Sequence, residues 1–321
     1  MVPHLLCCPP RRGRPMPVSI RLALIALLLT IAAPLRAGPL ILDAEATAAA
    51  IARGALVWDA RDAAAYRQAH LPGAVTVADA DRLLRLPAPK EVGELLRAEK
   101  SLAEAGLDLG REIVVYANRG SPRAYAAMAA VQYFGGRQVA VFHDGIEGWH
   151  ESGRPIETGD GRRRPAVVRL TPDPRMTVTT EELIARLKDP AVQIVDTRTP
   201  AEYAGRDVRA ARAGHVPGAV NIPYEENWID PDANLKIARR QVADTRGMAL
   251  KPTAELRRLY AGLDPAKETI VYCQTGGRAS ETFGILKELG FRNVRLYKGS
   301  WAAWAARPEA PIESGTPSPR P

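Results

Sequence analysis

One cysteine is the main candidate for a nucleophile. Cys273 lies in the stretch "VYCQTGGRAS", residues 271–280. The five residues that follow it are Gln274, Thr275, Gly276, Gly277 and Arg278. A thiolate is a strong nucleophile, and glycines let a backbone loop curl tightly around a sulfur atom. This short stretch therefore holds the residue types that nucleophilic chemistry needs.

The neighbours of Cys273 decide between a reactive and an inert thiol. Apolar residues before it predict a strand, and the apolar spacing that follows the loop predicts a helix. Backbone N–H groups of a glycine loop at a helix start favour negative charge and so a thiolate. The guanidinium of Arg278 keeps its charge and can hold an anion. A buried, inert cysteine in a plain turn is the alternative, but the combination favours a nucleophile.

The first 37 residues have the composition of an export signal. They contain five arginines, no acidic residue and the apolar run 22–33. That run is short for a membrane span and suits a signal-peptide core. We expect residues 1–37 to be a signal peptide, with Met1 or Met16 as the start and an uncleaved anchor as the alternative. The mature protein is expected to be periplasmic or secreted, without stable membrane association.

Removal of the signal would leave a single thiol. Of the three cysteines, Cys7 and Cys8 lie within residues 1–37 and only Cys273 lies beyond them. A lone cysteine in an exported protein has no internal disulfide partner and is a candidate reactive thiol. A Cys-x-x-Cys redox role is excluded for the mature chain by the same count.

Composition is typical of a soluble globular protein of two domains. The chain has 321 residues, 46% hydrophobic and 25% charged. Its net charge is +8, and setting aside the five arginines of residues 1–37 leaves +3. With so small an excess and no basic stripe that contains aromatic residues, we expect no nucleic-acid partner.

The chain contains an internal repeat. Four segments recur in order, as "WDARDAAAY" and "VDTRTPAEY", "HLPGAV" and "HVPGAV", "VVYANRG" and "IVYCQTG", and "PIETG" and "PIESG". In the third pair, Ala117 of the first copy aligns with Cys273 of the second. The repeat indicates two domains of one plan, of which only the second carries the thiol.

Each copy alternates short apolar strands with helical stretches, which predicts the α/β class. Each sheet should be mostly parallel and open, with helices on both faces. The second copy opens with a capping box formed by Thr179 and Glu182. We expect two domains, at 42–158 and 176–314. A charged, proline-rich linker is expected between them at 159–175, and a disordered tail after them at 315–321.

The motifs "CQTGGRAS", "DTRTPAEYAG", "GHVPGAVNIP" and "YKGSWAAW" together resemble those of the rhodanese-type sulfurtransferases. The resemblance covers nearly all of residues 42–313, as two tandem rhodanese-like domains. It implies that Cys273 accepts a sulfane sulfur from thiosulfate as a persulfide and passes it to cyanide or a thiol. It also implies a silent N-terminal domain and no metal or cofactor.

The resemblance also suggests which residues bind the donor. Residues 274–278 form the active-site loop, and Thr275 stands where mercaptopyruvate enzymes place a serine. Arg198 and Arg212 resemble the arginines that grip the anionic donor, with Arg206 as a competing candidate. On this basis we expect Arg198 and Arg212 to bind substrate.

Three alternatives remain at this point. The donor could be 3-mercaptopyruvate, because Gln274 and Thr275 match neither donor class cleanly. A phosphatase of the cell-cycle dual-specificity type shares the fold, but it places arginine six residues after its cysteine and Arg278 is five after Cys273. A non-enzymatic sulfur carrier or binding module would form the same persulfide without turnover.

Overall fold

The first half of the chain folds around a five-stranded sheet. The computed structural model describes residues 38–84, 86–87, 92–161 and 163–315. The strands of this sheet are β1 (Ile41–Leu42), β2 (Leu56–Asp59), β3 (Ala74–Val75), β4 (Ile113–Tyr116) and β5 (Val139–Phe142). Its helices are α1 (Ala44–Ala52), α2 (Ala63–Gln68), α3 (Ala80–Leu83), α4 (Val92–Glu104), α5 (Pro122–Tyr133) and α6 (Gly145–Glu151). The strand order is β1-β5-β4-β2-β3, and all of these pairs are parallel.

The second half folds around a four-stranded parallel sheet in the order β7-β6-β8-β9. Its strands are β6 (Val192–Asp196), β7 (Val220–Asn221), β8 (Glu268–Tyr272) and β9 (Asn293–Leu296). Its helices are α7 (Thr180–Arg186), α8 (Pro200–Tyr203), α9 (Ala233–Ala238), α10 (Thr253–Leu259), α11 (Gly277–Glu288) and α12 (Ser300–Ala305). Short 3-10 helices occupy Pro174–Met176, Tyr224–Asn227 and Arg246–Met248.

Helices cover both faces of each sheet, because side chains alternate between the faces along a strand. In the first sheet Val57 packs with α1, α2 and α6, whereas its neighbour Trp58 packs with α4 and α5. In the second sheet Ile270 packs towards α7 and α12, and Val271 towards α10 and α11. The predicted α/β class with two parallel sheets is confirmed. The capping box of Thr179 and Glu182 also forms, at the start of α7.

The two sheets share one apolar core, and α5 and α11 lie against each other inside it. Gly284 of α11 permits this close approach, since a Cβ there would lie 2.7 Å from the ring of Tyr125. The Tyr125 hydroxyl is 3.0 Å from Nδ1 of His143, and Nε2 of His143 is 2.9 Å from the carbonyl oxygen of Met248. This contact joins the first domain to the second at the level of the strand ends.

The connection between the sheets is packed rather than loose. Within residues 159–175, Val168 and Leu170 are buried in the shared core. The backbone N–H of Ala166 donates to the carbonyl oxygen of Ala103, a residue of α4, at 2.9 Å. The predicted signal peptide at 1–37, and residues 316–321 of the predicted tail, lie outside the described residues. Within the described part of the chain, every helix is too short or too polar to cross a membrane.

Candidate active site

The loop after β8 encloses the sulfur of Cys273. Cys273 follows the last residue of the strand, and α11 begins four residues later at Gly277. The backbone N–H of Gly276 donates to Sγ of Cys273 at 3.0 Å. Gly276 has a φ of +89°, a conformation in which a side chain is strained, and a Cβ there would lie 2.9 Å from the carbonyl oxygen of Lys298. The first glycine of the predicted loop is thus required by the turn around the sulfur.

Residues at the start of α12 hold this loop in place by hydrogen bonds. The N–H groups of Trp301 and Ala302 donate to the carbonyls of Cys273 and Gln274 at 2.9 and 3.0 Å. The N–H of Cys273 donates to the Ser300 hydroxyl at 3.3 Å. Cys273 itself is 1% exposed. The thiol is therefore held in one place, and a reacting group must approach it through the loop.

Arg278 forms an ion pair with a carboxylate of its own domain. Its Nη1 and Nη2 donate to the two oxygens of Glu202, each at 2.8 Å. Glu202 is 1% exposed and also closes the capping box of α8 with Thr199. Burial alone would raise the pKa of Glu202, but the hydrogen bonds and charge of Arg278 outweigh it and lower that pKa to about 2. Arg278 is thus neutralised by Glu202, although it lies near enough to Cys273 to interact with its charge.

Arg198 is buried at the end of β6 and paired with Asp196. Its side chain is 1% exposed, and it binds both oxygens of Asp196 at 2.6 to 3.1 Å. It also donates to the carbonyl of Gly214 at 2.8 Å and stacks 4.6 Å from the centre of the Trp301 ring. The guanidinium of Arg198 is thus paired within its own domain, and donor binding by Arg198 stays a prediction.

The first domain repeats this arrangement. Arg61 binds both oxygens of Asp59 at 2.6 to 3.1 Å, the same distances that join Arg198 to Asp196. In both domains the arginine bonds a backbone carbonyl as well. In both domains the arginine therefore ties the end of a strand to the loop that follows it.

Arg212 is hydrogen-bonded to backbone carbonyls around the end of α12. Its Nε and Nη1 donate to the carbonyls of Ala305 and Ala310 at 3.0 Å each, and its Nη2 donates to that of Trp304 at 3.1 Å. Trp304 and Ala305 belong to the last turn of α12, where backbone acceptors lack helical partners, and Ala310 follows the helix. Donor binding by Arg212 stays a prediction. The competing candidate Arg206 is exposed.

A cavity of about 1070 Å³ separates the two domains beside the loop. Thr275 and Gly277 line it from the loop, and Lys298 and Gly299 line it from the segment after β9. The first domain supplies an apolar wall that includes Trp58, Val77, Leu84 and Leu86. Thr275 is exposed, whereas Gln274 turns away and donates from Nε2 to the carbonyl of Arg209 at 2.9 Å. Of the predicted loop residues, Thr275 and Gly277 therefore face the space that a substrate would enter.

The corresponding loop of the first domain is filled. Ala117 is 1% exposed and stands at the position of the thiol. Gly120 has a φ of +71°, and a Cβ placed on it would lie 2.7 Å from Cβ and 3.0 Å from Sδ of Met248. Arg119 is held by ion pairs to Asp144 at 3.0 Å and Glu151 at 2.6 Å. Met248 of the second domain therefore lies where a substrate would meet the first loop.

Two features of the site escaped the sequence analysis. Glu281 lies on α11 and Glu225 on the 3-10 helix Tyr224–Asn227, and each has one carboxylate oxygen, Oε2, that is buried with no hydrogen-bond partner in the described part of the chain. Burial raises the pKa of Glu225 to about 7 and that of Glu281 well above its usual value. Lys298 lies in the motif "YKGSWAAW", but nothing in the sequence distinguished its lysine from a surface charge.

Comparison with known proteins identifies the domains. The rhodanese-like domain matches the chain twice, at residues 43–152 and 179–307. A thiosulfate sulfurtransferase of Corynebacterium glutamicum is 32% identical over 267 residues, which cover 79% of this chain and 83% of that protein. A thiosulfate sulfurtransferase of Azotobacter vinelandii is 31% identical over 280 residues, which cover 86% of this chain and 97% of that protein.

Solved structures share the fold at lower identity. SseA from Escherichia coli, a 3-mercaptopyruvate sulfurtransferase, superposes with a TM-score of 0.66 at 24% identity, over 82% of this chain and 99% of that one. The anaerobic ergothioneine biosynthesis enzyme from Chlorobium limicola gives 0.70 at 23% identity, over 87% of this chain and 71% of that one. With two matched domains and relatives above 30% identity along most of its length, this chain belongs to the rhodanese family of sulfurtransferases.

Proposed function

We propose that this protein transfers a sulfane sulfur from thiosulfate, through a persulfide on Cys273, to cyanide or a thiol. The observation that carries the proposal is the 3.0 Å hydrogen bond from the Gly276 N–H to Sγ, within a loop that opens a helix. Such a loop stabilises a negatively charged sulfur, whether thiolate or persulfide. The proposal therefore assigns the persulfide to the one thiol outside residues 1–37.

The reaction balances without a cofactor. The Cys273 thiolate attacks the outer sulfur of thiosulfate, a sulfur–sulfur bond forms, and the bond from that sulfur to the sulfonate group breaks. Its electron pair leaves with sulfite, and the persulfide anion remains on the enzyme. An acceptor nucleophile then attacks the outer persulfide sulfur, and the thiolate is restored. The loop N–H groups can hold the charge at each of these stages because it stays on sulfur.

The donor is assigned to thiosulfate because the curated relatives carry that name at 31 and 32% identity. A second candidate is 3-mercaptopyruvate, which the exposed hydroxyl of Thr275 at the cavity favours. Steady-state assays with both donors test the choice: thiocyanate formed from thiosulfate and cyanide is compared with pyruvate formed from mercaptopyruvate. We expect the larger kcat/KM for thiosulfate. A larger value for mercaptopyruvate would reverse the assignment, and turnover of neither would favour a carrier or binding module.

We further infer that the protein acts in the periplasm or after secretion. The support is the arginine-flanked apolar run 22–33 and the single cysteine that follows it. Sequencing the N-terminus of protein from a periplasmic or secreted fraction should give a start near Gly38. Intact Met1 or Met16 in a membrane fraction would contradict this localisation.

A further inference from the structure

Lys298 is the cation that the fold places beside the sulfur loop. β8 and β9 are adjacent parallel strands, so the residues that follow them lie side by side at one sheet edge. Cys273 follows β8, and Lys298 comes two residues after β9. The ammonium of Lys298 donates to the carbonyl of Gly276 at 2.9 Å, and the N–H of the same Gly276 donates to Sγ. A single peptide residue thus connects the ammonium to the sulfur.

Lys298 also faces the space that a donor must enter. It lines the cavity together with Thr275 and Gly277, and its residue is partly exposed. Three of the four arginines that sequence reasoning offered for an anion are paired within the protein, and the fourth, Arg206, is exposed and is not part of the cavity lining. Arg198 is bound to Asp196, Arg212 to backbone carbonyls, and Arg278 to Glu202.

Arg61, Arg82 and Arg123 line the cavity from the first domain. Arg61 is held on Asp59 at 2.6 Å, and Arg82 lies 3.3 Å from Asp79. Both of these ion pairs lie in the first domain, before the loop that holds Ala117. Lys298 differs from them because it bonds the sulfur loop directly.

We propose that Lys298 binds the sulfonate oxygens of the donor while its sulfane sulfur meets Cys273; this rests on the proposed sulfur transfer. A donor in this position has its dianionic end at a cation and its outer sulfur towards the loop. The bond that breaks sends an electron pair to the sulfonate sulfur, so sulfite departs with two negative charges. The ammonium therefore stabilises both the bound donor and the leaving group. An ammonium suits this role because it presents a compact charge with three donor hydrogens.

Measuring the loading and the discharge of sulfur separately distinguishes a role of Lys298 in donor binding from a role in supporting the loop. Lys298→Met removes the charge and retains most of the side chain, Lys298→Gln is a second neutral variant, and Lys298→Arg retains the charge. Lys236→Met is the matched control, because Lys236 lies on α9, pairs with Asp230 and contributes nothing to the cavity lining. Loading is followed by intact mass against thiosulfate concentration. Discharge is followed after removal of the donor, with the neutral thiol 2-mercaptoethanol as acceptor.

We expect the neutral variants to need about tenfold or more thiosulfate for half-maximal loading, the loss typical of one charged hydrogen bond. Discharge to 2-mercaptoethanol should proceed as in the wild type, Lys298→Arg should recover most of the loading, and Lys236→Met should load normally. Unchanged loading in both neutral variants would overturn the proposal. Equal slowing of loading and discharge would also overturn it, because that result is expected if Lys298 only supports the loop. A wild-type protein that never gains sulfur would refute the proposed sulfur transfer itself. If the wild type gains sulfur and the neutral variants gain it equally well, only the role of Lys298 is refuted.

Discussion

Arg278 and Glu202 are joined by two parallel hydrogen bonds of 2.8 Å, which tie the first turn of α11 to α8. Burial opposes the charge on Arg278, but the carboxylate of Glu202 raises its pKa above the usual value. The same pairing lowers the pKa of Glu202 to about 2. The helix that opens behind Cys273 is therefore anchored by an ion pair that stays charged at any ordinary pH.

The first prediction concerns this ion pair. Glu202→Gln leaves a largely buried guanidinium without its counter-charge, so we expect a loss of about 3 kcal/mol in the free energy of unfolding near neutral pH. A carboxylate whose pKa is lowered on folding contributes stability above its unfolded pKa of about 4.5, and this contribution is lost as pH falls through about 2. Urea unfolding of wild type and variant should show the difference shrinking across that window. A difference that stayed constant down to pH 2 would contradict the assignment.

The second prediction compares the two buried arginines of the repeat. Arg198→Ala and Arg61→Ala each leave a buried aspartate without its partner, so each should cost about 3 kcal/mol or more in the free energy of unfolding. The thiosulfate concentration for half-maximal rate should change by less than about twofold in the folded fraction of each, because each guanidinium is held by an aspartate of its own domain. Denaturant unfolding and steady-state assays supply the two readouts. A large rise in KM for Arg198→Ala alone would restore it as a donor-binding residue.

The third prediction concerns the carboxyl of Glu225. Burial raises its pKa to about 7, so the neutral acid is favoured in the folded protein. Its contribution to stability is complete below the unfolded pKa of about 4.5 and is lost as pH rises through about 7. Glu225→Gln mimics the neutral acid, so the variant should match the wild type near pH 5 and be the more stable near pH 8, by at most about 3 kcal/mol. Thermal unfolding across this range tests it, and a variant less stable than the wild type near pH 8 would contradict it.

The fourth prediction concerns the silent domain. Ala117→Cys introduced together with Cys273→Ser should give a folded protein that gains no sulfur from thiosulfate. The physical reason is that Met248 fills the loop and Arg119 is held by Asp144 and Glu151. Intact mass after incubation with thiosulfate is the measurement, with Cys273→Ser alone as the control. A stable sulfur adduct on the new cysteine would show that the first loop is open to donors.

The sequence predicted the features that depend on local pattern. The repeat, the two parallel sheets and the capping box at Thr179 all rest on residue spacing, and all are confirmed. The glycine that turns around the sulfur belongs to this group, because a left-handed conformation after a strand favours that residue type. Spacing also predicted that Cys273 would end a strand and precede a helix, as it does.

The partners of the arginines could not be predicted, because a sequence does not state where a guanidinium finds its partner. One signal was available: "DAR" in the first copy and "DTR" in the second both place aspartate two residues before the arginine. A pair kept in the domain without a thiol points to structure rather than catalysis. Lys298 escaped for a different reason, because it lies 25 residues from Cys273 and only the pairing of β9 with β8 brings the two together.

The most direct test of the account is the mass of the intact protein after incubation with thiosulfate, followed by cyanide. The account predicts a gain of one sulfur atom, about 32 Da, which cyanide removes as thiocyanate. Cys273→Ser is nearly isosteric, so it should fold normally and never gain this mass. A folded wild type that gains no sulfur from thiosulfate or mercaptopyruvate, or a Cys273→Ser variant that gains it equally, would contradict the assignment of the persulfide to Cys273.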